Sequence, residues 1–166
     1  MSIYVISDNH FGHFNIIKYT NRPFENVEEM DNYMISQWNK TVTNEDTIIH
    51  CGDFAFGDSE AIMNYTKQLN GKKILVMGNH DRKGVGFFAS CGFEAHKHPF
   101  TLAIVKNNII SKYVFSHAPL KDGMIPEDMI NIHGHIHNTV LKDEFSKEKH
   151  ICVSVECVDY TPMRLD

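Results

Sequence analysis

Residues 73–81 read KILVMGNHD. The apolar run Ile74-Leu75-Val76-Met77 has the length and character of a buried strand. It ends in Gly78-Asn79-His80-Asp81, four consecutive polar or flexible residues that a packed strand has no use for. In layered α/β proteins ligands bind beyond the carboxyl ends of strands, so such a junction is where chemistry is to be sought. The same junction recurs on both sides of this one. Residues 3–7 (IYVIS) run into Asp8-Asn9-His10, and residues 46–51 (DTIIHC) into Gly52-Asp53. Further on, 109–116 runs into His117, and 129–133 into Gly134-His135-Ile136-His137.

The connecting segments alternate in type. Over 26–40, Val27, Met30, Met34 and Trp38 recur at helical steps and mark a core-facing stripe. Asp58 or Ser59 can cap a second helix that runs to about Leu69 and is closed by Asn70-Gly71. A shorter helix covers 84–91. The second half is strand-rich: 93–98, 100–106, 109–116, 129–133, 138–142 and 150–157 read as extended, the last two as a hairpin with a charged connection at 143–149. Strand–helix alternation followed by strands predicts an α/β fold. We expect a single domain over residues 1–166, a layered α/β/β/α sandwich of two mixed sheets flanked by helices.

Spacing sharpens the chemical reading. On a strand, residues two apart point the same way, so Asp8 and His10 should aim together with Asn9 turned away. His135 and His137 should likewise pair, with Ile136 facing the core. Pairs of this kind can grip one metal ion or two neighbouring ones. Gly52, Gly78 and Gly134 precede candidate ligands and permit close approach of the chain to an ion or substrate.

Composition sets limits. Apolar residues make up 42% and charged residues 22%, the balance of an ordinary globular protein. The formal net charge is −5 with no lysine or arginine run, so no stable nucleic-acid complex is expected. No stretch approaches the roughly 20 apolar residues of a bilayer span, and the N-terminus reads as a first strand rather than a signal peptide. A cytoplasmic protein with no membrane partner is expected. None of the four cysteines forms a CxxC pair, which predicts free packing thiols rather than a zinc knuckle. Eleven histidines are the unusual count, because histidine is the commonest metal ligand.

Taken in order, DNH, GDFAFG, GNHD, FSHAP and GHIH resemble the motif series DxH, GD, GNHD, H and GHxH of the calcineurin-like metallophosphoesterase superfamily, from Asp8 to His137. The flanking SDNHFGHFNIIKY and SVECVDYTPM are similar to its small bacterial and phage-type members. The resemblance implies that Asp8, His10, Asp53 and His137 hold one metal ion. Asp53, as the bridge, would hold a second together with Asn79, His117 and His135. It implies that His80 contacts the phosphate and serves the leaving group as acid, oriented by Asp81. One departure stands out. Phe54-Ala55-Phe56-Gly57 follows Gly52-Asp53 where many relatives carry an acidic residue and then arginine-glycine, which argues against the protein serine/threonine phosphatase branch.

The expected cofactors are two divalent transition-metal ions, manganese first, with iron, zinc or nickel as further options, because imidazole-rich ligation disfavours magnesium and calcium. Ions about 3.5–4 Å apart share and activate a hydroxide for in-line attack on phosphorus. The expected partner is a small phosphate-ester substrate, and the leading reading is a phosphodiesterase for small-molecule or nucleotide diesters. A nuclease or nucleic-acid end phosphatase is the second reading, and a non-catalytic metal-binding scaffold is the third. His13, as a donor to a ligand carboxylate, and Arg22, as a fork onto a phosphate, are candidate substrate-side residues. Phe11, Phe54 and Phe56 read as core packing or as pocket walls. His50, His96, His98, His133 and His150 are given no ligand role.

Overall fold

A computed structural model describes residues 1–166. Five strands form the first sheet: β1 (Ile3–Ile6), β2 (Thr47–His50), β3 (Lys72–Val76), β4 (Phe93–His96) and β9 (Met163–Arg164), in the order β4-β3-β2-β1-β9. Four form the second: β5 (Phe100–Lys106), β6 (Ile109–Phe115), β7 (Ile130–His133) and β8 (His150–Cys152), in chain order. Both sheets are mixed. β9 runs antiparallel to β1, β5 runs antiparallel to β6, and every other pairing is parallel.

The two-residue period of a strand sorts the core. Ile6, Ile48 and Leu75 face one way and join Met30, Met34 and Trp38 of helix α2 (Val27–Thr41) in a core of 17 buried residues. Val5, Ile49 and Val76, each an immediate chain neighbour of these, face the other way and meet Phe115 and Ile132 of the second sheet in a core of seven. Strands buried on both faces explain why IYVI, TIIH and KILV read as unbroken apolar runs. The expected α/β/β/α layering is present, with two mixed sheets flanked by helices. The layer against the second sheet consists of short 3₁₀ turns, Lys147–Lys149 beside β7 among them.

Local signals hold the helices where expected. The Asn26 side chain accepts the Glu29 N–H at the start of α2, and Asp58 accepts the Ala61 N–H at the start of α3 (Ser59–Gln68). Helix α4 spans Val85–Ser90. The sequence reading passed over the six-residue helix α1 (Phe14–Tyr19), which has no capping side chain, and the two-residue strand β9.

The expected terminal hairpin does not form. Residues 138–142 are a turn and an irregular segment. Asn138 donates to the distant Thr20 carbonyl, and the Thr139 hydroxyl donates to the Ile136 carbonyl, a local bond that competes with a strand ladder. β8 pairs parallel to β7 instead, and the chain then leaves the second sheet. Ser154 bridges to Ser7 at the end of β1, and Val155–Cys157 closes into a 3₁₀ turn. This crossover brings the ends of β1, β2, β7 and β8 to one rim.

All four cysteines are free. Cys51 is buried between the sheets as expected, whereas the Cys152 and Cys157 sulfurs lie 3.5 Å apart near the rim. No helix is long and apolar enough to cross a membrane.

Candidate metal centre

The rim gathers the residues singled out at the strand ends, by a backbone geometry that strand alternation did not anticipate. Asp8, His10, Asp53, His135 and His137 all have positive φ, between 50° and 70°. They stand in left-handed turns just beyond their strands, a conformation that Asp and His tolerate better than most residues and that clusters at functional sites. Asp8 and His10 therefore share a face through a turn, while Asn9 points into the core and accepts from His50. The strand reading of Gly134–His137 is corrected in the same way, since Ile136 lines the cavity instead of the core.

Two groups of acceptor atoms converge. Asp8, His10 and His137 each offer one ligand atom, and these lie within 4.8 Å of one another. So do the ligand atoms of Asp8, Asp53 and His117. Asp53 Oδ2 faces both groups, 3.6 Å from His10 Nε2 and 3.4 Å from His117 Nε2. His117 Nε2 also lies 2.9 Å from Asn79 Oδ1 and 3.1 Å from His135 Nδ1. Because His117 Nδ1–H donates to the Cys51 carbonyl at 2.9 Å, Nε2 presents a lone pair to this ring of acceptors.

The donor set fits divalent cations. Asp8 Oδ1 and both ring nitrogens of His10 are buried without a hydrogen-bond partner, an arrangement that costs free energy unless something supplies the missing positive charge. Burial pushes the Asp8 carboxyl up, against the pull of His117 and His137. It pushes the His10 ring down, with Arg22 adding to the effect. His10 is thus a neutral imidazole with a free lone pair, the form that ligates metals. Asp8 Oδ2 is fixed by the His135 N–H at 2.9 Å and the Ser154 hydroxyl at 2.8 Å, which leaves Oδ1 aimed at the gap.

Close approach depends on glycines. A Cβ on Gly134 would overlap Ser7 Oγ and Asp8 Oδ2, and one on Gly78 would overlap the Asp53 carboxylate. Both positions need the missing side chain for space.

His80 stands at the edge of the group. Its N–H donates to Asp53 Oδ1 at 2.9 Å, and its ring is about one-third exposed, with Nε2 4.0 Å from Asp53 Oδ2. Asp81, expected to orient that ring, is bonded elsewhere. Its carboxylate accepts the backbone N–H groups of Asp53, Phe54 and Gly78 and ties the GD loop to the GNHD loop. Arg22 is also corrected. Its guanidinium is buried, donating to the Asp8 and Asn9 carbonyls and pairing with Glu156 at 2.8 Å, so it braces the first ligand loop and does not face a substrate. His13 does line the cavity, with its ring stacked on Phe56 at 3.9 Å and no bond to a ligand carboxylate. Phe11 and Phe54 are core residues.

Glu156 was not read from sequence. Both its oxygens lie 3.1 Å from His137 Nδ1, the carboxylate–histidine pairing that fixes a ligand's tautomer and raises its basicity. Burial alone would raise the Glu156 carboxyl, but the His137 bond and the Arg22 guanidinium hold it below the usual range. Burial works against a charged His137 ring too, yet Glu156 and Asp8 outweigh it and raise that histidine.

The cavity above the centre measures about 510 Å³. Besides five of the candidate ligands (His10, Asp53, Asn79, His135 and His137) and His80, its lining includes Tyr19, Thr20, Asn138 and Thr139, and no lysine or arginine reaches it.

Known proteins are similar to this chain over most of its length. A family model described as Calcineurin-like phosphoesterase matches residues 1–157. An uncharacterised protein of Methanocaldococcus jannaschii is 39% identical over 170 residues, covering 99% of this chain and 87% of its own. The Gene 66 protein of Mycobacterium phage L5 is 24% identical, covering 90% and 84%. The crystal structure of a protein of unknown function from Aquifex aeolicus superposes with a TM-score of 0.72 at 28% identity, covering 98% of this chain and 95% of that one.

Proposed function

Because the chain belongs to the calcineurin-like phosphoesterase family, a family of phosphoric ester hydrolases, we propose that it is a dinuclear metal-dependent phosphodiesterase for small-molecule or nucleotide diesters. The observation that carries this reading is the partnerless set of Asp8 Oδ1 and both His10 nitrogens, buried beside Asp53 at the floor of an open cavity. Asp8, His10, Asp53 and His137 would hold one cation, and Asp53, Asn79, His117 and His135 the other. Manganese is the ion we favour, since the set is rich in imidazole. Bound divalent cations would polarise the phosphoryl group and lower the pKa of water.

The chain's own residues do the rest. Glu156 and the Cys51 carbonyl fix the His137 and His117 rings, so that each turns a lone pair inward. Asp81 locks the two loops that carry Asp53 and Asn79. His80, about one-third exposed beside Asp53, is within reach of a leaving oxygen and would pass a proton to it. A diester is favoured over a monoester because the lining offers imidazoles, amides and hydroxyls but no fixed cation for a dianion. The four free cysteines support a reducing, cytoplasmic setting.

The test is metal content by elemental analysis, together with turnover of bis-p-nitrophenyl phosphate and p-nitrophenyl phosphate by manganese-loaded protein. We expect bound manganese, preference for the diester, and loss of both metal and turnover in Asp53→Asn. Metal-loaded protein that hydrolyses neither ester would favour the scaffold reading and sink this one.

A further inference from the structure

His80 walls two cavities. Besides the cavity over the candidate metal centre, it lines a second groove of about 420 Å³, walled by Phe56, Ile62, Arg82, Lys83 and Phe88 among others. We propose that this groove is the leaving-group subsite and that the group it takes carries its own phosphate: the substrate is a phosphodiester whose departing alcohol bears a second phosphate. The inference rests on the phosphodiesterase reading above.

Position is the first argument. With His80 serving the departing oxygen, the leaving group lies against His80, and His80 lines this groove as well as the cavity over the acceptor cluster.

Charge is the second. The metal cavity has no lysine or arginine, whereas Arg82 and Lys83, adjacent and exposed, both line the groove. Neither takes part in the ion pairs of the chain, which use Arg22, Lys112 and Arg164. The Lys83 ammonium sits over the Phe87 ring at 5.6 Å, a contact that leaves its hydrogen-bond donors free. The one carboxylate of the lining, Asp81, is buried with its oxygens taken by backbone N–H groups. On a chain of net charge −5, two unpaired cations in one groove form a local anion site.

Shape is the third. The Phe56 ring lies 5.0 Å from the His80 ring and stacks on His13, so it stands at the partition between the cavities. With Ile62 and Phe88 beneath, it offers an apolar wall to the body of the leaving group, and Arg82 and Lys83 are left for its phosphate.

The reaction is hydrolysis. The water oxygen ends on phosphorus, and the bond from phosphorus to the departing oxygen breaks with its electron pair. One proton reaches that oxygen through His80, and the other is released with the monoester.

The test compares three substrates: thymidylyl-thymidine, the same dinucleotide with a 5′-terminal phosphate, and the same with a 3′-terminal phosphate. One of the phosphorylated dimers should exceed the plain dimer in kcat/KM by about tenfold or more, the worth of one charge-assisted hydrogen bond. The ratio should fall to near one in Arg82→Ala/Lys83→Ala, whose folding is checked by its melting temperature; both side chains are exposed. No preference in the wild type, or a preference that survives in the double variant, overturns the subsite. Bis-p-nitrophenyl phosphate run in parallel separates the two failures. If it is hydrolysed while the dimers show no preference, only the subsite is wrong. If no diester is hydrolysed at all, the phosphodiesterase reading fails first.

Discussion

Replacing Glu156 by glutamine keeps the side chain's shape and removes its charge, with two separable consequences. The first concerns Arg22. Its side chain is 0% exposed and that of Glu156 5%, and the two meet at 2.8 Å. Breaking a buried pair costs about 3–5 kcal/mol. Arg22 keeps the Asp8 and Asn9 carbonyls, which argues for the low end, about 3 kcal/mol. For a chain of this size each kcal/mol moves Tm by about 2–4 °C, so metal-free Glu156→Gln should melt about 6–12 °C below the wild type. The second consequence concerns His137, which loses its anionic acceptor at Nδ1. Loss of such a partner typically costs 10–100-fold in metal affinity. Thermal melts of the metal-free proteins read the first effect, and manganese titration by calorimetry reads the second. A variant that melts within about 2 °C of wild type would refute the bracing role of the Arg22–Glu156 pair. Unchanged manganese affinity would refute the assignment of His137 as a ligand steered by Glu156.

Three further outcomes are expected. Gly134→Ala drives a Cβ into Ser7 Oγ and the Asp8 carboxylate; overpacking of this kind costs about 1–3 kcal/mol, so urea midpoints should fall together with metal content, and a variant normal in both would show that the close approach is unimportant. His80→Ala should keep its metal, because its ring stands outside both ligand clusters, yet lose about 10²–10⁴-fold in kcat; a variant that loses metal instead would make His80 a structural residue. Burial holds the His50 ring down at about 3, from 6.5, with Nε2 against Asn9 Oδ1 and Nδ1 accepting the Gly52 N–H. As pH falls from about 6.5 toward about 3 the unfolded chain takes up a proton that the folded chain refuses, so stability drops across that window. Urea midpoints at about pH 7 and about pH 5 should differ less in His50→Asn than in the wild type, and equal differences would exclude His50 as a cause.

Several features of the centre were legible in the chain because they depend on local chemistry. Apolar runs ending in Asp8-Asn9-His10, Gly52-Asp53 and Gly78-Asn79-His80 have no packing explanation, and buried parallel strands are unbroken apolar runs. The cap at Asp58 is equally local. Other features were hidden. Arg22 in a turn reads as a fork for a substrate phosphate, and only the fold buries it against Glu156, 134 residues away. Asp81 reads as a partner for its neighbour His80, but the return of the chain presents three backbone N–H groups to it instead. Residues 138–142 have strand-like composition, but the Asn138 bond to Thr20, the turn bond of Thr139 and the parallel docking of β8 on β7 leave them no ladder.

By itself the amino-acid order determined the strand–helix alternation, the two-sided burial of the central strands and which side chains are candidate ligands. Period, propensity and side-chain chemistry are properties of short segments. Tertiary structure alone decided that Asp8, His10 and His137 lie within 4.8 Å of one another, that Glu156 and not Asp81 steers a ring, and that Arg22 is buried against Glu156. Those are relations between residues far apart in sequence. They are fixed by how two sheets pack and where the crossover through Ser154 brings the chain back to β1.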